Sequence, residues 1–174
     1  MGIYYDEYVE IKRKKSGLDL VTGLASLFDK FPKNDESIKY KPEMKKLVQA
    51  VENTKSELKE LEQRGKIEEK FNKAVKYFEN ENYYEAEKGF REVLKISPCD
   101  ATVLFYLGVS LYKQANIEFA NCMNRGSTPR RDMFSETVKV LREAYDGCKD
   151  SKMRSTINEF LTDAVKSDSA VRNI

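Results

Sequence analysis

Apolar residues recur at three- and four-residue steps along most of the chain, the spacing that places them on one face of an α-helix. The first two segments with this pattern cover residues 18–31 and residues 42–64. Pro42 suits a first helical turn because it has no N–H group to leave unpaired, and Gly65 is predicted to end this second helix. Two helices are therefore expected before residue 65.

The second of these helices carries a heptad-like apolar seam. Its positions are Met44, Leu47, Val51, Thr54, Leu58 and Leu61. Because a seam over residues 44–61 is shorter than three heptads, packing of this helix on its own chain is favoured over a coiled coil. Pairing with a second chain through the same seam, which would make an oligomer, stays open.

The periodicity continues beyond Gly65. Residues 67–80 and 83–96 form a predicted helix pair, because residues 80–82 favour a turn and the residue before Pro98 avoids helical geometry. Further helices are predicted over residues 101–123, 132–145 and 153–165, with the tail 167–174 fraying. The chain is thus predicted to be all-α, with a tail and helices over residues 1–64 and a helical array over residues 65–174. The array contains an insertion near residues 114–131.

A period of about 34 residues relates the first helix pair to the chain that follows it. The matched positions are Ala74 with Gly108, Tyr77 with Leu111, and Ala86 with Ala120. Together with Phe90 and Pro98, this alternation of small and large residues resembles the tetratricopeptide repeat (TPR) family. The resemblance implies antiparallel helix pairs in which small residues allow close approach and large residues fill the space between the helices.

The second repeat is a modified one, because Asn124 occupies the position that Phe90 has in the first. The spacing that Ala86 and Phe90 have in the first repeat is found later in the chain, at Thr137, Leu141 and Ala144. We therefore expect one extended helix to about Met123, an inserted loop and a delayed partner helix. Because one clear and one modified repeat are fewer than the usual three, the N-terminal helices and a capping helix over residues 153–165 are expected to complete the core.

The resemblance also implies a concave groove lined by the first helix of each pair. By the family's positions, its partner-binding residues are Phe71, Val75, Phe78, Phe105, Val109, Tyr112 and Lys113, with Tyr106 at the edge and Glu68, Glu79 and Thr102 beside them. Such an apolar, aromatic groove binds an amphipathic helix or an extended peptide. Alternatively, the helix over residues 44–61 fills the groove. Family members that clamp a C-terminal carboxylate use cations and amides where this chain has Phe71, Val75 and Tyr106, so that partner class is disfavoured.

Composition removes several classes of function. The chain has no histidine, hence neither the commonest general base nor the commonest metal ligand, and we expect no catalysis, metal or cofactor. Three cysteines without a C-x-x-C pair indicate reduced thiols, buried as small apolar side chains, in a cytoplasmic protein. No apolar run approaches the roughly 18 residues of a transmembrane helix. The net charge of +2 disfavours nucleic acid as a partner.

Two basic segments are weaker candidates. The first is Lys12, Arg13, Lys14 and Lys15, which could contact phosphates or an anionic surface, although such a run is more often a solvated segment. In the second, a phosphate on Ser127 or Thr128 would meet Arg125, Arg130 and Arg131. The simpler interpretation of this second segment is a basic loop without regulation.

These observations favour a non-catalytic adaptor that binds a protein or peptide through a TPR-like helical groove. The alternative is a structural subunit of a larger assembly, joined through the seam of residues 44–61. Binding of nucleic acid or an anionic surface through the basic segments is a third hypothesis.

Overall fold

A computed structural model of the protein describes residues 41–173, and within its first helix it describes the side chains of residues 46, 49, 50 and those from 52 onward. The described part of the chain contains five helices and no strand. They are α1 (Lys41–Glu79), α2 (Tyr83–Leu94), α3 (Ala101–Asn124), α4 (Ser135–Gly147) and α5 (Ser151–Arg172). The all-α prediction is confirmed. The predicted helix over residues 18–31 and the basic segment over residues 12–15 lie outside the described residues.

The chain divides into two compact units, Met1–Lys66 and Ile67–Ile174. Helix α1 is continuous across Gly65, so the predicted helix end there is wrong. A glycine inside a helix reduces helix stability by only about 1 kcal/mol relative to alanine, and the residues on either side of Gly65 have high helix propensity, so the helix continues. In the first unit Leu58 is buried, whereas the side chains of Met44, Leu47 and Val51 are not described, so pairing through the seam stays a prediction.

The second unit is built from residues 67–79 of α1 and the four later helices, each packed on the next. Neighbours are antiparallel. Lys70 pairs with Glu92 at one end of α1 and α2, and Phe78 meets Tyr83 at the other. Helix α3 also touches α5, and these two run parallel, because Phe105 contacts Phe160 while Ala115, further along α3, packs near Val171.

Three of these helices begin with a side-chain cap. Asn82, Asp100 and Asp150 each accept a backbone N–H hydrogen bond at the start of α2, α3 and α5. The residue before α4 is Phe134, which makes no side-chain cap and whose side chain is only 2 % exposed. Packing of an apolar side chain therefore fixes the start of α4, whereas a local hydrogen bond fixes the starts of α2, α3 and α5.

The predicted core of both helix pairs is confirmed. Ala74, Ala86 and Phe90 are buried in the first pair. In the second pair the delayed positions Thr137, Leu141 and Ala144 are buried, whereas Asn124 and Ser127 are exposed. Helix α3 is extended as expected, and the partner helix comes after a loop.

Two predictions near the ends of helices are wrong. The tail does not fray, because α5 continues to Arg172 and its Val171 is 2 % exposed. Val171 packs with Ala115, Met133 and Phe134, so the last turns of α5 cover the delayed start of α4. Ala120 is exposed and mediates no close helix approach, because α4 lies against the earlier part of α3.

Candidate functional site

A cluster of aromatic rings lies where the predicted groove begins, and Tyr106 of α3 is at its centre. The ring centroid of Tyr106 is 5.6 Å from that of Phe71 and 5.5 Å from those of Phe78 and Phe90. Phe71 and Phe78 meet it edge-on, which is a favoured geometry for aromatic pairs. Tyr106, expected at the edge of the groove, instead contacts side chains of both α1 and α2.

The second half of the predicted groove is covered by α5. The ring of Phe160 lies 5.7 Å from Phe105 and 6.2 Å from Tyr112. Val109 is 3 % exposed and packs with Leu141 and Ala164, so it is a core residue and its assignment to a partner-binding surface is corrected. The helix over residues 44–61 was the occupant considered from the sequence, but in the second unit the C-terminal helix has this place.

Three members of the predicted set lie on α1 and form a row that we call the α1 face: Phe71, Val75 and Phe78, each partly exposed and packed against the core on its inner side. Four- and three-residue steps place these side chains on one side of the helix. Phe105 and Tyr112 are also partly exposed, and Lys113 is exposed at the end of the set. Sequence analysis found this row from the family's positions, but it could not show that α5 covers the remainder.

The charged groups of the second unit form ion pairs on helix surfaces. Lys70 donates to Glu92 at 2.6 Å and links α1 to α2, and this hydrogen bond lowers the pKa of the Glu92 carboxyl. Arg91 donates to Glu136 at 2.8 Å and links α2 to α4. Both pairs join helices on a side that the α1 face does not include.

Groups suited to chemistry are sparse in the described part of the chain. No cluster of three or more histidine, cysteine, aspartate or glutamate side chains able to hold a metal ion occurs among residues 41–173. Cys148 is buried and its sulfur lies 3.5 Å from the carbonyl oxygen of Asp150, but Cys99 is exposed, which corrects the expectation that all the cysteines fill the core. Among the described helices, none is long and apolar enough to cross a membrane.

The basic loop after α3 has a defined structural role. Gly126 has a φ of 63°, and both the backbone N–H and the hydroxyl of Ser127 donate to the carbonyl oxygen of Cys122, a pattern that terminates a helix. Arg130 lies 3.7 Å from Glu118, and both are exposed. The hydroxyl of Ser127 thus caps α3, whereas the regulation of Ser127 or Thr128 stays a prediction.

Comparison with known proteins finds no relative: no protein-family model, no curated protein and no solved structure matches this chain. The TPR resemblance therefore stays a prediction from residue spacing.

Proposed function

We propose that this protein is a non-catalytic binding module whose helix pairs are arranged as in TPR proteins, and that it holds an apolar helix or peptide of a partner protein against the α1 face. The observation that supports this most is the row of Phe71, Val75 and Phe78, apolar side chains that stay partly exposed on a single helix. Apolar rows of this kind take up one face of an amphipathic partner helix.

The rings behind the row make it a rigid surface. Tyr106 contacts both Phe71 and Phe78, and Phe90, which is fully buried, contacts Tyr106 and Phe71. Side chains that are already fixed lose little conformational freedom when a partner binds, so more of the contact energy appears as affinity. The aromatic members of the row are therefore the expected anchors of the interaction.

The position of α5 limits the size of the partner segment. Phe160 and Ala164 cover the half of the predicted groove that belongs to α3. The accessible row spans Phe71 to Phe78, which is about two helical turns at 5.4 Å each. We accordingly infer a short partner segment, such as two or three turns of helix, in place of a peptide that runs the length of a complete TPR groove.

A site-specific crosslink tests the proposal. A photo-crosslinking amino acid at Val75, in the full chain, is expected to capture one protein reproducibly, and mass spectrometry gives the crosslinked segment. A synthetic peptide of that segment should then bind the unmodified protein, and Phe78→Ala should weaken binding about tenfold, equivalent to about 1.4 kcal/mol.

The matched control is Ile96→Ala, which removes an apolar side chain that is 45 % exposed after the end of α2. This variant should bind the peptide with unchanged affinity. Circular dichroism must show both variants to be folded. A folded Phe78→Ala protein that binds like the parent would contradict the proposal.

A further inference from the structure

A second surface, which we call the α2–α3 cleft, adjoins the end of the α1 face, because the ring of Tyr83 in its lining lies 5.6 Å from the ring of Phe78. It is shallow and open to solvent, has a volume of about 410 Å³ and is lined chiefly by Glu81, Asn82, Tyr84, Ile117, Glu118 and Asn121. The cleft exists because α3 is longer than α2. The side-chain amide of Gln114 donates to the carbonyl oxygen of Tyr83, the first residue of α2, so α3 continues beyond α2 from this point to Asn124.

The cleft exposes two large apolar side chains from different helices. Tyr84 of α2 is 60 % exposed and Ile117 of α3 is 53 % exposed. On the opposite side of α3, Ala115 is buried against Met133 and Phe134. The extension of α3 thus has one face packed in the core and another that presents an isoleucine to solvent. Both side chains are available to bury an apolar group of a partner.

The charge of the lining is negative. Its ionised side chains are the carboxylates of Glu81 and Glu118, accompanied by the amides of Asn82 and Asn121. Beside the lining, the ammonium nitrogen of Lys88 lies 4.3 Å from the centroid of the Tyr84 ring and leaves the other face of that ring to a partner. The cation nearest to Glu118 is Arg130, at a distance of 3.7 Å, and both of these side chains are at least half exposed. An ion pair of this length and exposure is weak and is readily exchanged for another cation.

The backbone at the rim is fixed by the end of α1. Glu81 has a φ of 58°, the left-handed conformation in which glycine is the usual residue. Its N–H donates to Phe78 and the N–H of Asn82 donates to Tyr77, so this conformation is fixed by the end of α1. A glutamate here is less stable than a glycine would be, since its Cβ is crowded in this conformation.

We propose that the α2–α3 cleft binds a short peptide segment of a partner protein in which a lysine or arginine stands next to an apolar residue. The apolar side chain packs between Tyr84 and Ile117, and the cation pairs with Glu81 and Glu118. This inference does not depend on the α1 face, because the two surfaces differ in chemistry: one is apolar and the other combines apolar groups with negative charge.

Three synthetic peptides separate the contributions in an NMR titration of the full ¹⁵N-labelled chain. The probe is acetyl-Leu-Arg-Leu-Arg-amide, and the comparison peptides replace arginine by glutamate or leucine by serine. We expect the probe alone to shift the amide signals of Glu81, Ile117 and Asn121 in a saturable manner. We expect its affinity to fall at least threefold between about 0.05 M and about 0.3 M NaCl, because salt screens exposed charges.

The double variant Glu81→Gly, Glu118→Gln should bind the probe at least fivefold more weakly. Its matched control is Glu69→Gln, which removes a carboxylate from the separate depression between α1 and α2 and should leave binding unchanged. Glu81→Gly alone should raise the melting temperature while it weakens binding. The proposal is overturned if the double variant binds like the parent, if the serine peptide binds equally well, or if the shifts appear at Phe71 and Val75 instead.

Discussion

The α1/α2 and α3/α4 helix pairs reach similar close contacts through different connections. Residues 80–82 join the first pair, whereas residues 125–134 join the second. In the first pair a Cβ atom on Gly89 would lie 2.7 Å from Cβ of Ala74, and in the second a Cβ on Gly108 would lie 2.5 Å from Cδ2 of Leu141. Close approach at a glycine is therefore common to both pairs, although the sequence between the helices is not.

The two pairs differ in what fixes the start of the second helix. Asn82 accepts a hydrogen bond from the N–H of Glu85 and starts α2 locally. The start of α4 depends on distant residues, because Phe134 is buried with Val171 of α5 and the hydroxyl of Ser135 donates to Asp168. The comparison shows that the packing of α5 contributes to where α4 starts, whereas the face that α4 buries follows from the local spacing of its apolar residues.

The largest expected effect is at the centre of the second pair. Leu141→Asp places a charge where the side chain is fully buried and faces Gly108, so there is no room or partner for a carboxylate. The loss should exceed about 4 kcal/mol and unfold α3, α4 and α5 together. Urea denaturation followed by circular dichroism measures the loss, and amide hydrogen exchange locates it.

Asn124→Asp is the matched control, because Asn124 is the exposed residue at the position that the unmodified repeat would bury. It should change the free energy of unfolding by less than about 0.5 kcal/mol. Equal losses in the two variants would show that the delayed helix does not complete the second pair.

A smaller effect is expected at the two glycines. Gly89→Ala brings a methyl group against Ala74, whose Cα is 3.3 Å from the added atom, so the helices must separate. Gly108→Ala meets the side chain of Leu141, which is fully buried and has no space to turn away. Overpacking costs about 1–3 kcal/mol, of which the higher helix propensity of alanine offsets about 1 kcal/mol. Thermal melts should show a net destabilisation in both.

Exchanging the alanine and the glycine at the α1/α2 contact is a further test of this close approach. Ala74→Gly combined with Gly89→Ala restores a single methyl group at the first contact and should recover most of the loss. Gly65→Ala is the control, because its added Cβ has no neighbour within 4 Å, and it should stabilise the protein by up to about 1 kcal/mol. If Gly89→Ala stabilises to the same extent as Gly65→Ala, the close approach of α1 and α2 is wrong.

The sequence predicted those features of the fold that depend on local period. The extent of α3 and the burial of Leu141 and Ala144 both follow from apolar residues at three- and four-residue steps. The polar Asn124 excluded the ordinary repeat register. These are properties of one helix face, and a single sequence contains them.

The features that the sequence did not predict depend on contacts between distant residues. Residues 167–172 look like a polar tail, but Val171 is buried because Met133 and Phe134 are close to it in space. Likewise Val109 has the spacing of a groove residue, and it is core because Ala164 packs against it. For the same reason, the sequence predicted only part of the candidate site. The row on α1 follows from local residue spacing, whereas contacts with the distant helix α5 set the boundary of the accessible surface.

The smallest expected effect concerns the ion pair within the first helix pair. Lys70 lowers the pKa of the Glu92 carboxyl below its usual value of 4.5 through their hydrogen bond. A lowered pKa in the folded state stabilises the protein above the usual pKa, and this contribution disappears as the pH falls through the lowered value.

Glu92→Gln should therefore lower the urea midpoint slightly at neutral pH, and by less at high salt, because both side chains are about half exposed. At a pH low enough to protonate the Glu92 carboxylate of the parent, the two midpoints should converge. Glu143→Gln, on the exposed surface of α4, is the control and should show no such convergence. A gap between parent and Glu92→Gln that is equal at both pH values would mean that the Lys70–Glu92 contact does not link α1 to α2 in solution.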